Sequence, residues 1–271
     1  MFRTTPTIAY VLSAIIALLS LIEAGGGLFM NNLYRDNDLV TTQLVGNDLV
    51  SLVVAVPVLL GALLLSIRGS ERAQLVWLGM LDYMLYNYAF YLFGAAFNRF
   101  FLIYVALFTL SILALIFALV NINISGFSQK FRVRTPVRWI SGYMCIWAVA
   151  LGGLWIGQSL SFVVTGKVPQ VIVDVAHPTS VVFALDLSLL VPFLLLGAFW
   201  LWQRRSWGYL LGVILNIKGA VYALALTSMA IFAAKDGVPG ASSLIPIWLL
   251  FTAASLTASL FLLINLVSPN R

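Results

Sequence analysis

Seven side chains within otherwise apolar stretches are of types that do chemistry: Glu23, Asp82, Tyr86, Asn87, Asp186, Lys218 and Tyr222. Charge inside the hydrocarbon of a bilayer is costly, so where it persists it pairs, conducts or catalyses. The densest stretch is residues 76–98, V-W-L-G-M-L-D-Y-M-L-Y-N-Y-A-F-Y-L-F-G-A-A-F-N. At 3.6 residues per turn Asp82 and Tyr86 lie one turn apart, and Tyr83, Asn87 and Tyr91 form a second column beside them. Two adjacent columns make one broad polar-aromatic face that belongs against protein or water rather than lipid. By helical rise, Asp82 lies roughly 10 Å and Lys218 roughly 16 Å in from the same side of the membrane. If their helices meet, the two form a charge pair walled by Tyr86, Asn87 and Tyr222. Glu23 and Asp186 lie in the opposite half, so Lys218 has three candidate counter-charges. A buried Asp–Lys pair either exchanges a proton during a cycle or fixes how helices dock.

These residues are carried by a membrane protein. A chain of 271 residues that is 62% hydrophobic and only 9% charged lies outside the composition of soluble domains. Eight apolar runs of spanning length fall near 7–30, 48–67, 75–97, 100–120, 138–164, 180–202, 207–233 and 244–267. The expected fold is an all-α bundle of eight membrane spans. The first run resembles a signal peptide only weakly, because the charged segment before it is minimal and Glu23 adjoins the cleavage-like Ala24–Gly27.

Basic residues set the orientation. Arg3, Arg68, Arg72, Lys130, Arg132, Arg134, Arg138, Arg204, Arg205 and Arg271, ten in all, flank one side, against Arg35, Arg99, Lys167 and Lys235, four, on the other. That asymmetry predicts both termini in the cytoplasm. It also accounts for the net charge of +6 without a nucleic-acid partner. Trp139, Trp200, Trp202, Trp207 and Trp248 are expected as interfacial anchors.

An internal repeat is also expected. Pro57 and Pro192 are 135 residues apart, as are Glu23 and Gln158, and D-L-V-S-L-V from Asp48 resembles D-L-S-L-L-V from Asp186 with a three-residue gap. Four spans per half would relate the halves by an axis along the membrane normal. The expected organisation is a first half at 1–121, a basic linker at 122–137 and a second half at 138–271. Gly208, Gly212, Asn216 and Gly219 form a small-residue stripe suited to close helix packing, with Asn216 bonding across the contact. Asp48 is placed at the outer mouth of the second span. Asp36, Asp38, Asp174 and His177 are placed on a solvated outer surface, and no metal site is expected from them.

Strings such as N-D-L-V-S-L-V-V-A-V-P from Asn47 and Y-N-Y-A-F-Y-L-F-G-A-A-F-N from Tyr86 make the chain similar to multi-spanning proteins of the bacterial inner membrane. That resemblance implies the location and carries no activity. A lysine on the seventh span and an aspartate on the third also resemble microbial rhodopsins, but Ile214 stands where that family has an aspartate and an eighth span fits it poorly. No zinc, nucleophile-elbow, phosphate-loop or dinucleotide motif occurs. Hence no cofactor is expected, and pumping by nucleotide hydrolysis is excluded for this chain alone. The expected function is movement of a small solute or ion across the cytoplasmic membrane. The alternatives are an intramembrane enzyme acting on a lipid or quinone-like substrate and a non-catalytic subunit or sensor.

Overall fold

In hydrocarbon no water can satisfy the backbone, so apolar runs must close their own hydrogen bonds as helices. The computed structural model describes residues 1–267, and Arg271, part of the charge asymmetry, lies outside the described residues. Its helices are α1 (Thr7–Phe29), α2 (Asp38–Ile67), α3 (Glu71–Gly94), α4 (Phe101–Val120), α5 (Val137–Thr165), a short α6 (Gln170–Val175), α7 (Val181–Trp202), α8 (Ser206–Lys235) and α9 (Ile245–Asn265). Among the described residues there is no strand, only isolated bridges between Phe2 and Ile122 and between Phe131 and Leu266.

Seven helices are long and apolar enough to cross a membrane, so this is a membrane-embedded protein. The long helix outside that set is α3. Its 24 residues are ample length, but Asp82, Asn87 and Tyr83, Tyr86, Tyr88 and Tyr91 lower its apolarity. It is sheltered instead, with Trp77, Tyr83, Tyr86, Tyr88 and Tyr91 all buried.

One boundary differs from expectation in a way that matters. α2 starts ten residues before Asp48, because Asn37 accepts a bond from the Val40 amide at 2.9 Å and Asp38 occupies the first turn. Asp48 is therefore three turns inside a helix and fully buried rather than at a mouth.

A proline within a helix removes a donor, and its ring collides with the carbonyl four residues back. α2 and α7 absorb this by widening into π-helical turns at Ser51–Ala55 and Asp186–Leu190. The Val56 amide reaches Ser51 O and the Val191 amide reaches Asp186 O, just before Pro57 and Pro192. Turns and prolines alike are spaced by 135 residues. The two sextets do not share that register, since Ser51 rather than Asp48 stands where Asp186 stands.

α8 is the interior helix: 78% of its apolar window is buried, against 28% for α4, α5 and α9. α3 crosses it at Gly79, where a Cβ would lie 2.6 Å from Ile217 Cβ and 3.2 Å from Ile214 O. α2 and α9 also pack on α8, α7 packs on both α8 and α5, and α1 packs on α2 and α4. α5 and α9 meet through aromatic side chains, Trp147 and Tyr143 on Phe251 and Trp139 on Phe261. In the small-residue stripe, Gly208 fits against the Trp200–Leu201 backbone and Gly219 against Ser255. Asn216 bonds Gly212 O on its own helix at 2.7 Å instead of bonding across the contact.

The segment between α4 and α5 is folded onto the basic end of the bundle. Phe127 is fully buried, Phe131 stacks on Tyr209, and backbone bonds join Arg132 to Asn265 and Val267 to Lys130. Lys130 also binds Glu71, which accepts from the Met1 amine at 2.8 Å. Burial pushes the Glu71 carboxyl up, but these two cations outweigh it and hold the group below its ordinary value of 4.5.

Candidate functional site

α3 presents two polar columns, and the structure sends them to two different places. The column of Asp82 and Tyr86 faces α8 and α7. Lys218 Nζ lies 3.8 Å from Asp82 Oδ2 and 4.0 Å above the Tyr86 ring, so one cation is shared between a carboxylate and an aromatic face. The Tyr86 hydroxyl donates to Asp186, the first residue of the π turn in α7. Trp155 of α5 donates to the other Asp186 oxygen at 2.8 Å. Tyr222, one turn beyond Lys218, meets the Tyr86 ring edge-on with centroids 5.0 Å apart. One acid therefore pairs with the ammonium, and a second is linked to it through Tyr86, whose ring lies under the ammonium and whose hydroxyl binds Asp186.

Beside Lys218 is a cavity of about 20 Å³, room for a single water. Lys218, Asn216, Tyr222, Ser255, Tyr143 and Phe251 are among its walls. It lies behind the aromatic seam between α5 and α9.

The second column, Tyr83, Asn87 and Tyr91, turns toward α2 and α1. Asn87 accepts from Asn47 at 2.8 Å, away from Lys218. Asp48 takes a hydroxyl on each oxygen, from Tyr34 at 2.5 Å and from Tyr91 at 2.6 Å. Glu23 of α1 lies within hydrogen-bonding reach of Asp48 and accepts from Tyr88 at 3.2 Å. Gly27 makes this possible, because a Cβ there would overlap the Asp48 carboxylate and the Tyr34 hydroxyl. Glu23 and Asp48 are 0% exposed, Lys218 3% and Asp186 4%, whereas the Asp82 side chain keeps 18% of its surface exposed.

Of the seven residues expected to form one site, the structure brings together Asp82, Lys218, Tyr86, Tyr222 and Asp186. It places Glu23 and Asn87 in the other cluster, so Glu23 is no counter-charge to Lys218. Sequence reasoning missed Asp48, Tyr34, Tyr88 and Trp155. The signal for Asp48 was the Asn37–Asp38 helix start, which puts Asp48 inside a span. Of the outer residues, Asp36 accepts from the Ala96 amide at 3.0 Å, and His177 lies 3.4 Å from it. Among the described residues no group of three or more metal-ligating side chains gathers.

The fold and these clusters define a helical membrane protein with a buried acid–base network. No family model, no curated protein and no solved structure matches the chain.

Proposed function

We propose that this is an eight-span protein of the bacterial cytoplasmic membrane, built from two similar four-span halves, that moves a small solute or ion, with the Asp82–Lys218 pair in the path. Its halves are 1–121 and 138–271, both termini are cytoplasmic, and α3 is the eighth span. The observation that carries the reading is the position of the pair: opposite charges on α3 and α8, the helices that cross at the centre of the bundle. Gly79 and Ile214, which meet at that crossing, are 135 residues apart, the same interval as the π turns and their prolines. Equivalent positions touching each other is what a twofold axis through the crossing requires. A 20 Å³ cavity is far below the several hundred Å³ of a solute site, so this conformation is closed. The widened turns beside Pro57 and Pro192 are the places where α2 and α7 can bend to open it.

The test is flux in proteoliposomes under imposed gradients of protons, alkali cations and a panel of small solutes. The parent protein should conduct one of them, and Lys218→Met and Asp82→Asn, verified as helical and monodisperse, should reduce the rate at least about tenfold. No flux of any species by the parent sinks the proposal.

A second reading, an intramembrane enzyme for a lipid or quinone-like substrate, is favoured by one observation. The cavity beside Lys218 is walled in part by the aromatic seam of Tyr143, Trp147 and Phe251 between α5 and α9, where those helices could part. Mass spectrometry of molecules retained through purification would identify such a substrate, and variants of the seam should lose it.

A further inference from the structure

Between α1 and α2 the chain buries two carboxylates in one another's reach, and among the described residues no lysine or arginine is in contact with them. Two ionised carboxylates so placed repel each other, and each has lost its water. Hydroxyl donors compensate one of them. Asp48 receives a tyrosine hydroxyl on each oxygen, an arrangement that stabilises a carboxylate in its ionised form. Glu23 is differently equipped: Oε2 accepts one long bond from Tyr88, and Oε1 is buried without a partner. The Tyr83 hydroxyl and Ser51 Oγ, both buried, are brought within reach of one another beside the same cluster by α3 and by the π turn of α2. The titratable groups facing Glu23 are Asp48 from α2, Tyr34 from the α1–α2 loop, Tyr83, Tyr88 and Tyr91 from α3, and Tyr104 from α4.

The geometry points to a proton-binding site formed by Glu23 and Asp48, separate from the Asp82–Lys218 pair, with Glu23 as the carboxyl that takes and releases the proton. Asp48 is the fixed, tyrosine-held acceptor. Access is from the end of the bundle that carries Arg35, where a vestibule of about 440 Å³ is lined by Tyr34, Asn98 and Arg99 among others. Tyr34 thus lines the vestibule and also donates to Asp48 Oδ2. On loading, the Tyr34 hydroxyl gives its proton to Asp48 as it receives one from a hydronium ion in the vestibule, which leaves as water, and Asp48 passes one to Glu23. The net change is one proton taken from solution and one carboxylate converted to a carboxylic acid. Tyr34 and Asp48 end as they began. This inference does not rest on the transport reading, because every group in it lies outside the α3–α8 contact.

The chain has only two glutamates, Glu23 and Glu71, and Glu71 is bound to two cations at the surface. Carbon-13 labelling of glutamate in the otherwise unmodified protein therefore isolates Glu23 in infrared difference spectra recorded between acid and alkaline buffer in lipid nanodiscs. The expected result is a protonated-carboxyl C=O band at acid pH that shifts with the glutamate label and disappears at alkaline pH. Glu23→Gln should lose that band, Asp48→Asn should keep it at a shifted titration midpoint, and Lys218→Met should leave it in place. Tyr34→Phe should retain the band but slow its appearance after a pH jump at least about tenfold. A band that fails to shift with labelled glutamate overturns the proposal. So does loss of the band on exchanging potassium or choline for sodium at constant pH, which would make this a metal-cation site.

Discussion

The two buried acid clusters share α3 and differ in how their charge is balanced. At the α3–α8 contact Asp82 pairs with one ammonium, and Tyr86 links that ammonium to Asp186 of α7, which tyrosine and tryptophan donors hold. Between α1 and α2, Glu23 and Asp48 face hydroxyls alone. The difference teaches what each region can do. A resident cation neutralises a carboxylate whatever the solution outside contains. Hydroxyls hold one ionised carboxylate and leave the second dependent on a proton.

The sharpest way to break this comparison is to remove the cation. Lys218→Met leaves Asp82 without its cation and should cost about 3 kcal/mol in unfolding measurements in detergent, with Asp82→Asn in the same chain recovering part of the loss. A tolerated Lys218→Met would mean that both clusters are balanced by protons. An intermediate effect is expected at Gly27, which acts on the other cluster alone. Its Cβ would collide with the Asp48 carboxylate and the Tyr34 hydroxyl, so Gly27→Ala should cost about 1–3 kcal/mol. The smallest effect is at the basic end, where Glu71 supplies a control outside the membrane. Its carboxyl is held below 4.5 in the folded protein, so the stability it contributes is complete above that pH and lost as the pH falls through the lowered value. Glu71→Gln should therefore flatten the melting temperature below about pH 4.5 while changing stability at neutral pH by less than about 1 kcal/mol.

Much of this comparison was legible in the sequence, because helical periodicity is rigid. The two columns of α3 follow from the spacing of Asp82, Tyr86, Tyr83, Asn87 and Tyr91 alone, as does the likelihood of contact between Asp82 and Lys218 at similar depths. What periodicity does not carry is which neighbour each column meets. Asn87 was grouped with Lys218 because both are polar and central, yet it faces Asn47 because α2 packs on that side. Asp48 was misplaced for a local reason. An unbroken apolar run begins only after Asp48, while Asn37 starts the helix earlier by accepting from the Val40 amide, with Asp38 in its first turn. Nothing in the sequence around Trp155 marks it, and only the packing of α5 on α7 turns its N–H to Asp186. Asn216 illustrates the converse: a polar side chain on a packing stripe can satisfy itself on its own helix.

The modest apolarity of α3 has a consequence for how the protein is made. On a lone helix at the bilayer centre, Asp82 costs about 3 kcal/mol, and four tyrosines and an asparagine offer little to offset it. Yet Lys218 is translated more than one hundred residues later. As the proposed eighth span, α3 would wait beside α4 and α2, which pack on it, until α8 arrives with its counter-charge. The central charge pair would then be a late assembly step.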